Sequence, residues 1–366
     1  MKVILFATGD CAEIDSLNSR TPAPLLPLVD RPFIQHVVET LAAQGATSFD
    51  VVLGAQAEKF VDLLGDGTRW GVHFKYHLAR DARQPYGILK SLHLDNPKES
   101  VLIVHGDRIP MMEAGQLERL QELGTTSAFF LTPATTPDEK AFLEWTGWAY
   151  VPVSYFSAIS MEMDQQEVGD HLLRAAGQDE MLVYMPQVIG VTSFDQLLQS
   201  QKAVLTGTFK GLLLTGRKIK GTVRKANNAV VHPAAQITGP VFLGENCRIG
   251  AFAQIGPNVV IGENCVIDSG TVVNDSLVMA GTYVGERLEL SRCIADHNYL
   301  VNTKIGTAVS VSDDFLLGSV CSTDSGKLHR RLMAQPAAAA LVLVSAPSLA
   351  LTSLWIKMFK SGAGLH

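Results

Sequence analysis

A six-residue repeat in the second half of the chain constrains the fold more than any other feature. Aliphatic residues recur at every sixth position, at Val231, Ile237, Leu243, Ile249, Ile255, Ile261, Ile267 and Val273. The residue two places before each of these is small or medium-sized, and glycine directly follows four of them. Such a run in one register is not expected by chance. It predicts a parallel β-helix over residues 222–320, in which three hexads form one triangular coil and the glycines permit tight corners.

Beyond Val273 the six-residue period loosens. Apolar positions return at Leu288, Leu290, Ile294, Leu300, Ile305 and Val311. These positions predict further, less regular coils that end near residues 312–317.

Before the repeat, short apolar strands alternate with segments of helical period. Val3–Ala7 and Val101–Val104 have the composition of buried strands, and in Pro32–Ala43 apolar residues recur every four positions. This alternation predicts a mostly parallel, Rossmann-like α/β sheet flanked by helices over residues 1–215, with ligands at the carboxyl ends of the strands.

Composition limits the classes of function. The chain has 366 residues, which predicts two or three domains, and 47% of them are hydrophobic. A net charge of −6 argues against a broad nucleic-acid-binding surface. The five cysteines have no CxxC spacing, which favours a reducing cytoplasm, and Met1 leads directly into a strand without a signal peptide.

The loop after the first strand carries the main resemblance. Val3–Leu28 contains GDCAEIDSLNSRTPA at Gly9–Ala23 and resembles the opening of the sugar-1-phosphate nucleotidyltransferases, roughly VILAGGxGTRLxPLTxxTPKPLLPV. Glu13 stands where that family has its loop arginine, and Ala23 stands where it has the lysine of TPKP. Nucleotidyl transfer gathers negative charge in the transition state, so these exchanges predict impaired catalysis.

Three further stretches carry the same resemblance: GDGTRWGV at residues 65–72, Gln84–Gly87 and His105–Asp107. The resemblance implies that Gly9, Pro85, Gly87 and Asp107 contact a nucleotide or sugar, and that Asp107 holds Mg²⁺. The alternative is that Asp107 caps a turn.

Other parts of the family pattern are missing, and no catalytic residue is assigned. The family's Glu-Lys-Pro motif does not occur, and its second metal-binding aspartate falls on Ile189. The histidines His73, His77, His93 and His105 lack paired metal-ligand spacing.

The resemblance leaves three functions open. The preferred one is an impaired module that binds a sugar nucleotide or sugar phosphate, or organises a glycosyl transferase, in bacterial surface-polysaccharide assembly. The second is an active sugar-1-phosphate nucleotidyltransferase that uses Mg²⁺, with Arg20, Arg69 or Lys90 supplying the missing cations. The third is a scaffold that binds no nucleotide.

The repeat domain adds two expectations and a rival. The repeat resembles the left-handed β-helix at the C-terminus of mannose-1-phosphate guanylyltransferases. This resemblance implies a left-handed coil here, and the flat faces of such a coil favour a homo-oligomer. Hexapeptide acyltransferases are the rival class, and His232 and His297 are the candidates for the catalytic histidine that they need.

Residues 327–366 predict a membrane-associated segment. Leu332–Ile356 is free of charge over 25 residues and has basic residues on both flanks, while Pro347 lies near its middle. A re-entrant helical segment satisfies both features, and a kinked spanning helix is the alternative. The segment resembles the membrane entry of bacterial sugar transferases in Arg330–Met333, Ser345–Pro347 and Ile356–Gly362. This implies the cytoplasmic face of a bacterial inner membrane, lipid contact through residues 332–356, and a sugar transferase partner.

Overall fold

The computed structural model describes residues 1–8, 14, 21–92, 96–133, 143–160, 162–177 and 180–320. The predictions for Gly9, Glu13, Arg20, His93 and the segment 327–366 lie outside these residues. Met1–Gly318 form one compact unit. Among the described residues, no helix is long and apolar enough to cross a membrane.

The N-terminal part is built around a seven-stranded sheet flanked by helices. Its strands and those of two small neighbouring sheets are β1 (Lys2–Ala7), β2 (Pro27–Leu28), β3 (Arg31–Pro32), β4 (Ser48–Leu53), β5 (His73–Leu78), β6 (Ser100–His105), β7 (Arg108–Pro110), β8 (Ser127–Pro133), β9 (Leu143–Pro152), β10 (Glu180–Tyr184) and β11 (Val188–Gly190). The helices are α1 (Phe33–Ala43), α2 (Ala57–Leu64), α3 (Gln116–Glu122), α4 (Gln165–Ala176) and α5 (Phe194–Thr206).

The strand order of the main sheet is β10-β8-β9-β6-β1-β4-β5. β1 pairs in parallel with both β4 and β6, whereas β9 runs antiparallel to β6 and β8. Val3–Ala7 is buried throughout, as expected of a central strand covered on both faces. The predicted mostly parallel α/β sheet is confirmed.

Helix α1 follows the apolar period of its sequence. Phe33, Val37 and Leu41 are fully buried on one face, and the helix begins directly after Pro32, its N-cap.

A small two-stranded sheet lies beside the carboxyl end of β6. β11 pairs antiparallel with β7, so that Ile189 faces Ile109 and Gly190 faces Arg108. The backbone N–H of Val191 donates to the carbonyl of Asp107 at 2.9 Å. This pairing fixes the chain on both sides of Asp107.

The repeat region forms three sheets of short strands. Its strands are β12 (Arg217–Lys220), β13 (Val223–Lys225), β14 (Val230–Val231), β15 (Gln236–Ile237), β16 (Val241–Leu243), β17 (Arg248–Ile249), β18 (Gln254–Ile255), β19 (Val259–Ile261), β20 (Val266–Ile267), β21 (Val272–Asn274), β22 (Leu277–Val278), β23 (Thr282–Val284), β24 (Glu289–Ser291), β25 (Cys293–Asp296), β26 (Tyr299–Asn302), β27 (Thr307–Ser310) and β28 (Leu317–Ser319).

The register of these strands reflects the hexads. Val241 pairs with Val259 and Ile249 with Ile267, each 18 residues apart in parallel, which equals three hexads. The pairing distance then shortens to 17 residues, as between Ile267 and Val284. The loosened period after Val273 is therefore the loss of one residue per coil.

The last apolar positions do not continue the coil. β26 pairs antiparallel with β25 and with β27. Ile305 lies in the turn between β26 and β27, and 69% of its surface is exposed. Counting Leu300 and Ile305 as coil positions was wrong, because an antiparallel hairpin replaces the coil there.

Of the four glycines that directly follow an anchor of the repeat, Gly256 has the positive φ, +104°, expected of a corner, and the other three have a different role. Gly244, Gly250 and Gly262 have no positive φ, but a Cβ on any of them would lie 2.6–2.8 Å from backbone atoms of the next coil. Four asparagines are among the residues with positive φ in the coil, including Asn246 and Asn264 with φ near 55°. At these three positions glycine therefore permits close approach of successive coils, while Gly256 and several asparagines lie at corners.

One outer face of the coil is apolar. Phe242, Val260, Leu277 and Ile294 lie on neighbouring strands and belong to the same hydrophobic cluster as the core of the N-terminal sheet and helix α5. At the edge of this contact, Arg292 pairs with Asp195 at 3.1 Å.

Candidate functional site

Two adjoining cavities lie at the carboxyl ends of the parallel strands. The smaller, about 100 Å³, is lined by residues that include Thr8, Ala23, Pro85, Tyr86, His105 and Asp107. The larger, about 1190 Å³, is lined by residues that include Arg108, Glu144, Trp145 and Asp164. Arg83 and Gln165 line both, so the two cavities form one cleft at the edge predicted to bind ligands.

A buried aromatic cluster forms the floor of the smaller cavity. The Tyr86 hydroxyl lies 3.0 Å from Nε2 of His105, and the rings of Phe6, Tyr86 and His105 are 5.0–5.8 Å apart. Burial lowers the pKa of His105 to about 4 and raises that of Tyr86, so both side chains are neutral near pH 7. Gly147, with φ +83°, gives the imidazole room, because a Cβ there would lie 3.0 Å from the ring.

Asp107 lies where β6 turns into β7. Nε of Arg108 is 3.1 Å from its Oδ1, and Nη2 of Arg108 is 3.4 Å from its Oδ2. Burial alone would raise the pKa of Asp107, but the charge on Arg108, together with His105 and local hydrogen bonds, holds it below its usual value. The carboxylate is therefore ionised and is neutralised by its neighbour in the chain.

The strand that faces Asp107 carries no carboxylate. Ile189, where the resemblance would put a second metal ligand, is 2% exposed in β11 and paired with Ile109. In the described part of the chain no group of three or more His, Cys, Asp or Glu side chains could hold a metal ion. These residues do not fit a site in which two carboxylates hold Mg²⁺.

The other predicted site residues lie in or beside the cleft. Ala23 is 1% exposed in the short 3-10 helix Ala23–Leu25 and lines the smaller cavity. Pro85 and Gly87 are buried in a second 3-10 helix, Pro85–Lys90, and Pro85 lines the same cavity.

The cations proposed as replacements lie elsewhere. The guanidinium of Arg69 stacks 4.0 Å above the Trp70 ring, and Lys90 is exposed at the end of its 3-10 helix. Arg83 and Arg108 line the cleft instead. Sequence reasoning missed both, although Arg108 directly follows Asp107. It also missed Tyr86 and Gln165, and it considered His105 only as a metal ligand.

The histidines considered for acyl transfer have ordinary surroundings. Nδ1 of His297 lies 2.6 Å from Oδ1 of Asp296, and Nδ1 of the exposed His232 accepts from the backbone of Ala234 at 3.1 Å. Neither lines the cleft described above.

Comparison with protein families supports the class of protein that the fold and cleft define. Residues 2–141 match the family described as nucleotidyl transferase, and residues 237–336 match the GMPPB C-terminal domain. Over these two ranges the chain is similar to a nucleotidyl transferase domain and to a GMPPB C-terminal domain, in the order that the resemblance in its sequence implied.

Individual relatives agree over shorter stretches. The low-salt glycan biosynthesis nucleotidyltransferase Agl11 of Haloferax volcanii is 32% identical over 77 residues, which cover 21% of this chain and 22% of that protein. The bifunctional protein GlmU of Burkholderia thailandensis is 22% identical over 187 residues, covering 51% of this chain and 38% of GlmU. The chain thus spans well under half of the length of these relatives.

Among solved structures, one match is a Bacillus anthracis protein assigned as a glucose-1-phosphate thymidylyltransferase, in complex with a sucrose. It is 17% identical, with a TM-score of 0.46, covering 55% of this chain and 94% of that one.

Proposed function

We propose that the chain is a catalytically impaired nucleotidyltransferase-like module that binds a sugar nucleotide or a sugar phosphate in its cleft. The observation that carries this proposal is the pairing of Asp107 with Arg108, which engages both carboxylate oxygens. A carboxylate in that state is a poor metal ligand, and Ile189 on the facing strand cannot assist it. The replacement of the loop cations by Glu13 and Ala23 acts in the same direction.

Binding does not require the groups that turnover requires. Arg83 and Arg108 bring two guanidinium groups to the cleft, and guanidinium binds phosphate oxygens through paired N–H donors. Glu144 and Asp164 line the larger cavity and offer acceptors for sugar hydroxyls, while Trp145 offers an apolar ring. The cleft therefore suits a phosphorylated sugar without help from a metal ion.

The test is calorimetric titration with GDP-mannose, UDP-N-acetylglucosamine and dTDP-glucose, each in Mg²⁺ and in EDTA. We expect at least one to bind equally well in both. Arg108→Ala should weaken that binding about tenfold or more, because a charge-assisted hydrogen bond contributes about 1.5–3 kcal/mol. Arg119→Ala is the matched control, since Arg119 pairs with Glu113 on the surface of α3. If none of the three binds, the third function, a scaffold without a nucleotide, is favoured.

The second candidate is an active sugar-1-phosphate nucleotidyltransferase that makes a nucleotide sugar from a nucleoside triphosphate and requires Mg²⁺. The arginines that line the cleft are the observation that favours it. Robust pyrophosphate release from a nucleoside triphosphate, a sugar 1-phosphate and Mg²⁺, abolished in Arg83→Ala, would establish this candidate and overturn the first.

Three further expectations belong to the same proposal. The three sheets in 18-residue register support a three-sided β-helix, and the resemblance adds that this helix is left-handed and associates into a homo-oligomer. Residues 332–356 contact lipid at the cytoplasmic face of a bacterial inner membrane, and a sugar transferase is the partner. Flotation of the full chain and of a chain that ends at residue 320 on neutral phosphatidylcholine vesicles tests the lipid contact, because only the full chain should bind vesicles that carry no net charge.

A further inference from the structure

Positive charge is concentrated in a stretch of the chain outside the cleft. From Gln196 to Gly244 there is no Asp or Glu, while the same stretch contains the seven cations Lys202, Lys210, Arg217, Lys218, Lys220, Arg224 and Lys225. The whole chain has a net charge of −6, so the other residues together carry −13. The cations are therefore concentrated in a protein that is otherwise strongly acidic.

Five of these cations lie on one β-hairpin, which we call the basic hairpin (residues 217–225). Strand β12 is the edge strand of its sheet, and all four of its residues are exposed. Arg217 lies opposite Lys225, and Lys218 opposite Arg224. Like charges in directly opposed positions destabilise a strand pair, so the hairpin has this arrangement despite a local electrostatic cost.

No acidic side chain offsets this charge within the described residues. None of the five cations lies within ion-pair distance of a carboxylate there, and Arg224 donates only to the backbone carbonyls of Leu214 and Gly216. An anion from outside the described chain would reduce the repulsion between these cations, so the hairpin favours an anionic partner.

The exposed apolar residues beside these cations indicate the kind of partner. Ile219 is 58% exposed in the middle of β12, and Leu213 is 84% exposed just before the hairpin. Aliphatic side chains between cations suit the boundary between lipid headgroups and acyl chains. A single-stranded nucleic acid would instead favour aromatic side chains on which bases stack. We infer that the basic hairpin binds the anionic surface of a lipid bilayer, independently of the cleft and of residues 332–356.

The test compares the full chain with Lys218→Gln/Lys220→Gln in vesicle flotation at about 50 mM salt. Vesicles of phosphatidylcholine with about 30% phosphatidylglycerol provide the anionic surface, and pure phosphatidylcholine vesicles provide the neutral one. Each lysine near such a surface changes binding about fivefold, so the double variant should bind the anionic vesicles about 30-fold more weakly. Binding to neutral vesicles should not change, which separates this surface from the uncharged segment 332–356.

Two further variants keep the test decisive. Lys75→Gln/Lys98→Gln removes two exposed cations elsewhere and should leave binding unchanged. Ile219→Ser removes no charge and should still weaken binding to anionic vesicles, whereas a purely electrostatic nucleic-acid contact would not respond. Melting curves by circular dichroism check that all variants fold.

Three results would overturn the inference. One is equal flotation of the wild type and Lys218→Gln/Lys220→Gln on anionic vesicles. Another is flotation that does not weaken as salt is raised to about 500 mM, since surface attraction between charges is screened there. The third is displacement of the wild type from vesicles by a 20-nucleotide RNA at concentrations near that of the protein, which would assign the hairpin to nucleic acid.

Discussion

The buried His105 predicts a specific loss of stability on mild acidification. Its pKa is about 4 in the folded chain, against an ordinary value of 6.5, because it lies among the rings of Phe6, Tyr86 and Trp145. Between these two values the unfolded chain takes up a proton that the folded chain does not. The contribution of the neutral His105 side chain to the free energy of unfolding is therefore fully present above pH 6.5 and is lost as the pH falls towards 4.

The size of the effect follows from the two pKa values. One pKa unit corresponds to about 1.4 kcal/mol, so the full loss below pH 4 is about 3 kcal/mol. At pH 5 the loss is already about 2 kcal/mol. The carboxylates with lowered pKa, Asp30, Glu39, Asp66 and Asp107, lose their contributions only below about pH 5 and so do not interfere with measurements above pH 5.

The assay is urea unfolding, followed by tryptophan fluorescence, at intervals from pH 5.0 to 7.5. Urea is uncharged and leaves the electrostatic interactions unscreened. His105→Gln is expected to be less stable than the wild type at pH 7.5, yet to lose about 2 kcal/mol less on going to pH 5. His73→Gln, at an exposed position on β5, should keep the wild-type pH dependence. Parallel pH profiles for wild type and His105→Gln would refute the account of this site.

Three other predictions test the coil and its contact with helix α5. Gly244→Ala should lower the free energy of unfolding by about 2–3 kcal/mol in thermal melts, because its Cβ would lie 2.6 Å from the backbone of Gly262; an unchanged melting temperature would contradict this. Burial raises the pKa of the Cys265 thiol to about 12, so mass spectrometry should find it unmodified after iodoacetamide treatment of the native protein at pH 8, and alkylation without denaturant would count against its burial. The pair of Arg292 and Asp195 is about half exposed, so a double-mutant cycle should give a coupling below about 1 kcal/mol, and a value above about 2 kcal/mol would show that the contact is stronger than its geometry suggests.

The architecture was largely predictable because it rests on apolar periodicity. Phe33, Val37 and Leu41 recur every four residues, and all three are fully buried on one face of α1. Ile255, Ile261 and Ile267 recur every six and point into the coil. In both cases the spacing of the buried side chains equals the geometric repeat of the element, so the type of element can be predicted from the spacing alone.

Features that depend on contacts between elements could not be predicted in the same way. Phe242 and Val260 lie between inward-facing positions and gave no periodic signal, yet they are buried in the hydrophobic cluster that also contains residues of helix α5 and of the N-terminal sheet. Only the packing of two elements, which no local pattern encodes, gives these side chains their role. The requirement for glycine at position 244 likewise comes from the approach of the next coil and not from its own φ angle.

In the candidate site, too, the feature that depends on local sequence was predicted, and the features that depend on contacts between elements were not. An apolar strand running into His105–Asp107 was expected, and the structure places Asp107 two residues after β6 ends. The engagement of its carboxylate by Arg108 depends on how the guanidinium is directed beside β7 and β11, which the sequence does not specify. The contact between Tyr86 and His105, 19 residues apart, requires a 3-10 helix to pack on the strand end.

In the motif from Thr21 to Leu28, the residues that pack in the core differ from the position at which the family carries a charge. The fold can therefore be retained while the chemistry of the site changes. Pro24 and Leu26 are buried, and the short 3-10 helix packs beside α1. Ala23 borders a cavity of about 100 Å³, so a lysine there would extend into the cleft and contribute little to the core. Replacing such a lysine by alanine removes a cation from the site without opening a void in the packing. The converse change, loss of Leu26, would cost about 2–5 kcal/mol and endanger folding. Selection on folding alone would therefore retain the apolar frame of the motif and leave its charged positions free to change.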